Sequence, residues 1–404
     1  MPVPNTRRSL APDLARGFML LFIALVNARF FLTHDDTVRG LGDRLLTLVQ
    51  LVLVDGRAIP LFSLLFGYGA VWIARRVTEA GGGRVHVRTV LRRRGLWLLL
   101  FGLAHGVLLL PVDILGAYGL ALLLFTGFLR ARDRTLLWSA GVFAVLSLTL
   151  NVLLSVSEAV GEGDTAISGG SEVSATAVPS LVEPGFVAAC IERFQEWTLY
   201  TPVTLLLVVM PPLLLGVWAG RRRVLERPEE HRRPLVITAV VGLGVAVIAG
   251  LPDGLVSAGL LPTPEPVVEV LLWIAHDAAG WAGGPGWAAL ITLLALRLNT
   301  GGPTGHPLVT AITAVGERSM SCYLFQAVIF TLVFAPYGLG WGATASVSTA
   351  ALVAVGTWGT TVVAAFLCHR AGLRGPAEAL LRRLVYSGVH LSGPARETDP
   401  SGPR

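Results

Sequence analysis

Two residues in one apolar stretch carry the ingredients of acid–base chemistry: His105, within Gly102-Leu103-Ala104-His105-Gly106, and Asp113, two residues after Pro111. An imidazole takes up and releases protons near neutral pH, and a neighbouring carboxylate can fix its ring orientation and tautomer. The turn between them is short, which predicts that both side chains reach one surface. Tyr118 follows Asp113 by a little over one helical turn and is placed to join them. Plainer roles fit the same residues. His105 can simply hydrogen-bond another helix, which Gly102 and Gly106 would let approach closely. An aspartate that opens a helix ordinarily caps its free amides.

Other polar residues stand in apolar surroundings and need a reason, because a charge inside a bilayer costs at least about 2–3 kcal/mol. Asp13 and Arg16 are three apart and can pair along one helix face. Asn27 lies eleven residues beyond Arg16, about three turns, and returns to that face. The stripe reads either as an interfacial ion pair plus an interhelical hydrogen bond, or as a cavity lining for an anionic group. Farther on, Ser319, Cys322, Tyr323 and Gln326 follow the spacing of one helix face. Glu317 and Arg318 precede them, where a membrane helix places charges that snorkel. His276 and Asp277 form a second candidate pair. His34, Asp35 and Asp36 read as a solvated loop. No phosphate-binding loop, dinucleotide fingerprint, zinc motif or nucleophile elbow is present.

The elements that must position these groups are membrane helices. Of the residues, 53% are hydrophobic and 14% charged, and the mean hydropathy is +0.67, which describes a membrane protein. All 32 basic residues are arginine, and the net charge of +6 is concentrated in loops. No basic patch is interleaved with aromatics, so nucleic acid is not an expected partner. The three cysteines stand at no metal-ligand spacing, and no metal is expected.

The stretch from Leu91 to Arg134 holds two apolar spans joined near Pro111, with arginines at both outer ends. Lipid offers the backbone no partners, so each span must be a helix, and the arginines put both ends in the cytoplasm. Extended along the chain, this logic predicts an all-α polytopic transmembrane helical bundle of about 10 spans, N- and C-termini cytoplasmic. The expected spans begin with Leu14–Leu32. The region Leu45–Ala74 is broken at Asp55-Gly56-Arg57 and Pro60, as one interrupted helix or a re-entrant piece followed by a span. Further spans are expected at Leu136–Val156, Thr198–Ala219, Leu235–Leu251, Val309–Phe334 and Thr349–Cys368. Val267–Leu298, glycine-rich at its centre, reads as one kinked helix in preference to two short ones. The domain reading is an N-terminal membrane half (1–156), a flexible outer loop (157–190), a C-terminal half (191–390) and a disordered tail (391–404).

Several of these segments together resemble the YeiB-like family of bacterial membrane proteins, a domain of unknown function. The matching pieces are Asp13-x-x-Arg16-Gly17 with Asn27, Pro60 to Gly69, and Arg92-Arg93 leading to Gly102-x-x-His105 and Asp113-Ile-Leu-x-x-Tyr118. The second half adds Gly316-x-Arg318 with Tyr323 and Gln326, then Gly375-Pro376-x-Glu378 to Tyr386. Ala379 departs from the aromatic residue common in that family. The family is itself similar to the transmembrane acyltransferases, among them glycan O-acyltransferases and the lysosomal heparan-glucosaminide acetyltransferase.

The resemblance implies a donor, cytoplasmic acyl-CoA, and an acceptor at the outer face: a small molecule, glycan or lipid. In the bacterial O-acyltransferases the position of Asn27 holds a histidine, and asparagine is no base near neutral pH. The base would then be His105, oriented by Asp113. Arg16, helped by Arg75, Arg92 and Arg93, would attract the phosphates of acyl-CoA, and Asn27 and Gln326 would hold the thioester carbonyl. The alternative reading is a transporter or exporter of a small molecule or lipid, which buried polar groups and broken spans also fit.

Overall fold

The computed structural model describes residues 10–34, 37–159, 178–299 and 306–387. The described chain is helical throughout. α1 is Leu10–Phe30, α2 Leu41–Leu53, α3 Ala58–Glu79, α4 Arg84–Leu108, α5 Ile114–Leu124, α6 Asp133–Ala159 and α7 Phe186–Thr204. α8 is Met210–Arg221, α9 Arg232–Ser257, α10 Pro266–Asn299, α11 Pro307–Glu317, α12 Ser319–Phe334, α13 Val347–Arg370 and α14 Pro376–Tyr386. Among the described residues, seven segments are long and apolar enough to cross a membrane, and α5, α11 and α12 are shorter apolar helices.

The surface agrees with a lipid environment. α6, α9 and α13 turn rows of large apolar side chains outward, among them Trp138, Val142 and Val145 on α6, Val240, Val241 and Ile248 on α9, and Leu352 and Val363 on α13. In water such contiguous apolar faces would be a liability. The main core is built by α1, α3, α4, α5, α8 and α11, where Leu14, Leu20, Leu61, Leu65, Val90, Met210, Leu214 and Val315 are buried.

Small residues set the closest crossings. A methyl group at Gly67 would meet the Leu213 carbonyl, and one at Gly216 the Leu64 carbonyl, so α3 and α8 touch backbone to backbone. α4 and α5 do the same through Gly95, Gly102 and Gly119.

Several expected spans are corrected. Leu45–Ala74 is indeed interrupted, with α2 ending before Val54 and α3 beginning at Ala58. The span expected at Thr198–Ala219 begins twelve residues earlier, at Phe186, and runs through a wide turn at Leu205–Val209 that accommodates Pro202, Pro211 and Pro212. α9 continues past Pro252 to Ser257. Val267–Leu298 is the single helix α10. Val309–Phe334 is two helices that meet at Arg318. Residues 376–386, in the C-terminal half but beyond the last expected span, form α14. Asp35, Asp36, most of the expected outer loop and the C-terminal tail lie outside the described residues, whereas His34 bonds the Ala345 carbonyl at 3.0 Å.

Candidate functional site

His105 is in the last turn of α4 and Asp113 immediately precedes α5. Three residues of turn separate Leu109 from Asp113, and the close glycine crossing of the two helices brings the side chains together. His105 Nδ1 and Asp113 Oδ1 are 3.0 Å apart, and neither side chain has measurable exposure. The other carboxylate oxygen accepts the Gly116 amide at 2.5 Å, which is the expected cap. The capping reading of Asp113 holds, and its second oxygen lies at contact distance from the imidazole. A carboxylate this close favours the Nδ1 proton of a neutral imidazole, which leaves the Nε2 lone pair available, although the N–H···O angle at Nδ1 falls outside that of a hydrogen bond. Among the described residues Nε2 has no hydrogen-bond partner.

α12 supplies the opposite wall. The Tyr323 ring lies 4.8 Å from the His105 ring, and its hydroxyl meets the Asp113 side chain and the Ile114 amide. Gln326 follows Tyr323 by three residues and shares its face. It is 1% exposed, with both amide atoms buried and unpartnered among the described residues. A third element closes the site: Trp197 of α7 packs so tightly on Gly106 and Gly116 that a methyl group at either would strike its indole.

Tyr118 is corrected. It is fully buried but does not join the dyad. Its hydroxyl sits 3.2 Å from Ser63 Oγ on α3, and its ring stacks between Phe62 and Phe66 at 5.2 and 4.4 Å. Asn27 is half-buried on α1.

The other expected residues gather at the opposite, arginine-rich end. Asp13 and Arg16 pair at 2.8 Å on the rim of a cleft of about 580 Å³ formed by α1, α3, the segment after α8 and the end of α10. The cleft carries five arginines (Arg16, Arg75, Arg76, Arg223, Arg227) and four carboxylates (Asp13, Glu79, Glu226, Glu229). Arg75 is ion-paired with Glu226, which also accepts from Tyr68. Arg223 stands in the left-handed region, with φ +55, a conformation that costs a residue with a Cβ roughly 1 kcal/mol or more. Arg92 and Arg93 are not on this rim, and Arg93 bonds the Ser387 carbonyl after α14.

Arg318 is buried at the α11–α12 break, not snorkelling. Its guanidinium donates to the Ala314 carbonyl at 3.1 Å and to the Leu373 carbonyl at 2.5 Å, and pairs with Glu317 at 3.2 Å. The first amides of α12 are taken by Glu378 from α14: Met320 N at 2.7 Å and Ser321 N at 3.1 Å. A carboxylate at a helix N-terminus is favourable whichever element supplies it.

His276 does not pair with Asp277. Its Nδ1 is 2.9 Å from Asp253 Oδ2 on α9 and its Nε2 is 2.6 Å from Arg57 Nη1. Neither Asp253 nor Arg57 was singled out beside it in the sequence.

Comparison with known proteins names no activity. Residues 219–388 match a family model described as "Protein of unknown function (DUF418)". The match takes in His276, Arg318, Tyr323, Gln326 and Glu378, and leaves out the His105–Asp113 hairpin. Over 417 aligned residues the chain is 24% identical to the "Uncharacterized protein YxaH" of Bacillus subtilis (strain 168), covering 95% of this chain and 96% of that protein. A shorter stretch of 139 residues is 32% identical to the "Uncharacterized 39.9 kDa protein in amylase 3'region" of Bacillus acidopullulyticus, 34% of this chain and 39% of that protein. No solved structure matches.

Proposed function

We propose that this chain is a membrane-embedded acyltransferase-like enzyme in which His105 is the general base. The observation that carries the reading is the buried His105–Asp113 pair at 3.0 Å, with an unpartnered Nε2 and an unpartnered Gln326 amide on the facing helix. Unsatisfied polar atoms inside a helical bundle are costly, and a substrate that satisfies them relieves that cost.

In the reaction, Nε2 of His105 takes the proton of an acceptor hydroxyl or amine while the acceptor oxygen or nitrogen attacks the thioester carbonyl. Asp113 stabilises the resulting imidazolium. The Gln326 Nε2 amide donates to the oxyanion of the tetrahedral intermediate, which collapses by breaking the carbon–sulfur bond. The thiolate leaves and takes the proton back from His105, giving the acylated acceptor and free CoA thiol.

The donor reaches the site from the arginine-rich end, which the positive-inside rule places in the cytoplasm. The cleft there fits a polyanionic group only in part, since four carboxylates offset its five arginines. Arg16 lies on α1 at the cleft rim, paired with Asp13.

The test is transfer of label from radiolabelled acetyl-CoA to an extract of cell-envelope glycans and lipids, using purified protein in lipid nanodiscs. Wild type transfers label and His105→Ala, inserted and folded, does not. Full transfer by the variant removes His105 as the base. A proton-coupled transporter is the second reading, favoured by the helix breaks at Val54–Arg57 and Arg318, since interrupted helices line transport sites. Absence of both transfer and acyl-CoA binding would favour it.

A further inference from the structure

Away from His105, the break between α2 and α3 encloses a second group of ionisable residues that the acyl-transfer reading does not use. Arg57 is 0% exposed. Its guanidinium donates to the Asp55 carbonyl at 2.6 Å, to the Ala246 carbonyl of α9 at 2.7 Å and to His276 Nε2 at 2.6 Å. On the far side of the imidazole, Nδ1 meets Asp253 at 2.9 Å. Asp55 lies 3.5 Å from Arg29 of α1 and 3.4 Å from the Gln50 amide. Asp277, next to His276 on α10, lies within electrostatic reach of Arg57 and His276.

The hydrogen-bond direction in this chain is fixed by chemistry. A guanidinium has donors only, so His276 Nε2 must accept from Arg57. The ring proton is then on Nδ1, 2.9 Å from Asp253 Oδ2, and His276 is neutral. Charge balance gives a second constraint. Two arginines, Arg29 and Arg57, face three aspartates, Asp55, Asp253 and Asp277, so the described group carries one net negative charge when all three carboxylates are ionised and His276 is neutral. Buried charge of one sign is expensive, and one additional proton neutralises the cluster.

On His276 that proton has a place to go only if Arg57 moves, because Nε2 already accepts from the guanidinium. On Nε2 it would set two cationic donors face to face at hydrogen-bond distance. The backbone is built for a discrete contact here: Gly56 takes a left-handed conformation (φ +70) directly over the His276 ring, and Gly280, Gly283 and Gly284 of α10 pack on Gly56, Arg57 and Leu61. Among the described residues no three of His, Cys, Asp and Glu converge as a metal site would require.

We infer that Asp253, His276 and Arg57 form a proton-binding site in which proton uptake on His276 Nε2 releases Arg57 and loosens the break between α2 and α3. The site is separate from the acyl-transfer reading, and its test uses no substrate. Hydrogen–deuterium exchange of the peptide covering residues 50–60 is followed in nanodiscs from pH 7.5 to 5, with rates corrected for the intrinsic pH dependence of exchange.

In wild type, protection of this segment falls at least about tenfold across one transition. His276→Gln keeps an acceptor for Arg57 that does not titrate, so its protection stays flat. Asp253→Asn removes the charge that favours the imidazolium, so its transition moves to lower pH; it also serves if His276→Gln does not fold. Flat protection in wild type, the same loss in His276→Gln, or an unmoved transition in Asp253→Asn would each overturn the inference.

Discussion

Asp113 divides its two carboxylate oxygens between a helix cap and an imidazole, and this division allows the two roles to be separated by one substitution. Asparagine caps a helix about as well as aspartate, so Asp113→Asn leaves the start of α5 in place. It removes the charge that stabilises the imidazolium and the acceptor that holds the His105 tautomer. The expected result is a fall in acyl transfer of roughly 10²–10⁴-fold with thermal unfolding nearly unchanged. Measuring kcat and Tm on the same preparation checks it. A parallel loss of both would make Asp113 a cap and nothing more.

At this scale the local pairs were readable from sequence. Asp13 with Arg16, and His105 with Asp113, are within eight residues of each other and joined by one helix or one turn. The pairs that escaped join distant helices. Asp253 stands 23 residues before His276, on a helix expected to stop at Leu251, and Arg57 lies 219 residues away. No spacing rule links such positions. Only the glycines of α10, which permit close approach, hinted at a partner there.

Among the elements, contacts between small residues decide how near the helices come, and they make a sharp comparison possible. A methyl group at Gly216 would enter the Leu64 carbonyl on α3, whereas one at Gly359 on α13 meets nothing within 4 Å. Both glycines are inside helices. Gly216→Ala should therefore destabilise the protein by about 1–3 kcal/mol, since a packed contact must open. Gly359→Ala should be neutral or stabilising by up to about 1 kcal/mol, because alanine is the better helix former. Reversible unfolding in a mild detergent, compared between the two variants, reads the difference, and equal effects would remove the backbone contact of α3 with α8.

Helix existence was legible from hydropathy because a bilayer forces every long apolar run into a helix. Helix interruption was less so. The break at Asp55-Gly56-Arg57 shows itself through charge and glycine, but the one at Arg318 follows an ordinary helical pattern. It is maintained by Glu378 and the Leu373 carbonyl, which come from 55 or more residues away. α14 was hidden for a related reason: its amphipathic face becomes apolar-in only once Leu381 and Val385 are buried in the bundle.

For the molecule as a whole, the two ends of the bundle differ in kind. One end gathers Arg16, Arg75, Arg76, Arg223 and Arg227 around a cleft, and α14 is fastened there through Glu378. The other end holds His105 about 16 Å along α4 from Arg94, from eleven residues at 1.5 Å each. The positive-inside rule predicts that the first end is cytoplasmic, and in the proposed reaction the acceptor's side of the membrane follows from that placement.

Two single-cysteine proteins test it, each made after replacing Cys190, Cys322 and Cys368 by serine. Gly83→Cys reports the turn between α3 and α4, and Leu261→Cys the turn between α9 and α10; both positions are exposed. A membrane-impermeant maleimide applied to intact cells should label Leu261→Cys, and should label Gly83→Cys only after permeabilisation. The reverse pattern would invert the bundle and put His105 near the cytoplasmic face. The acceptor would then be a cytoplasmic molecule, and no acyl group would need to cross the membrane.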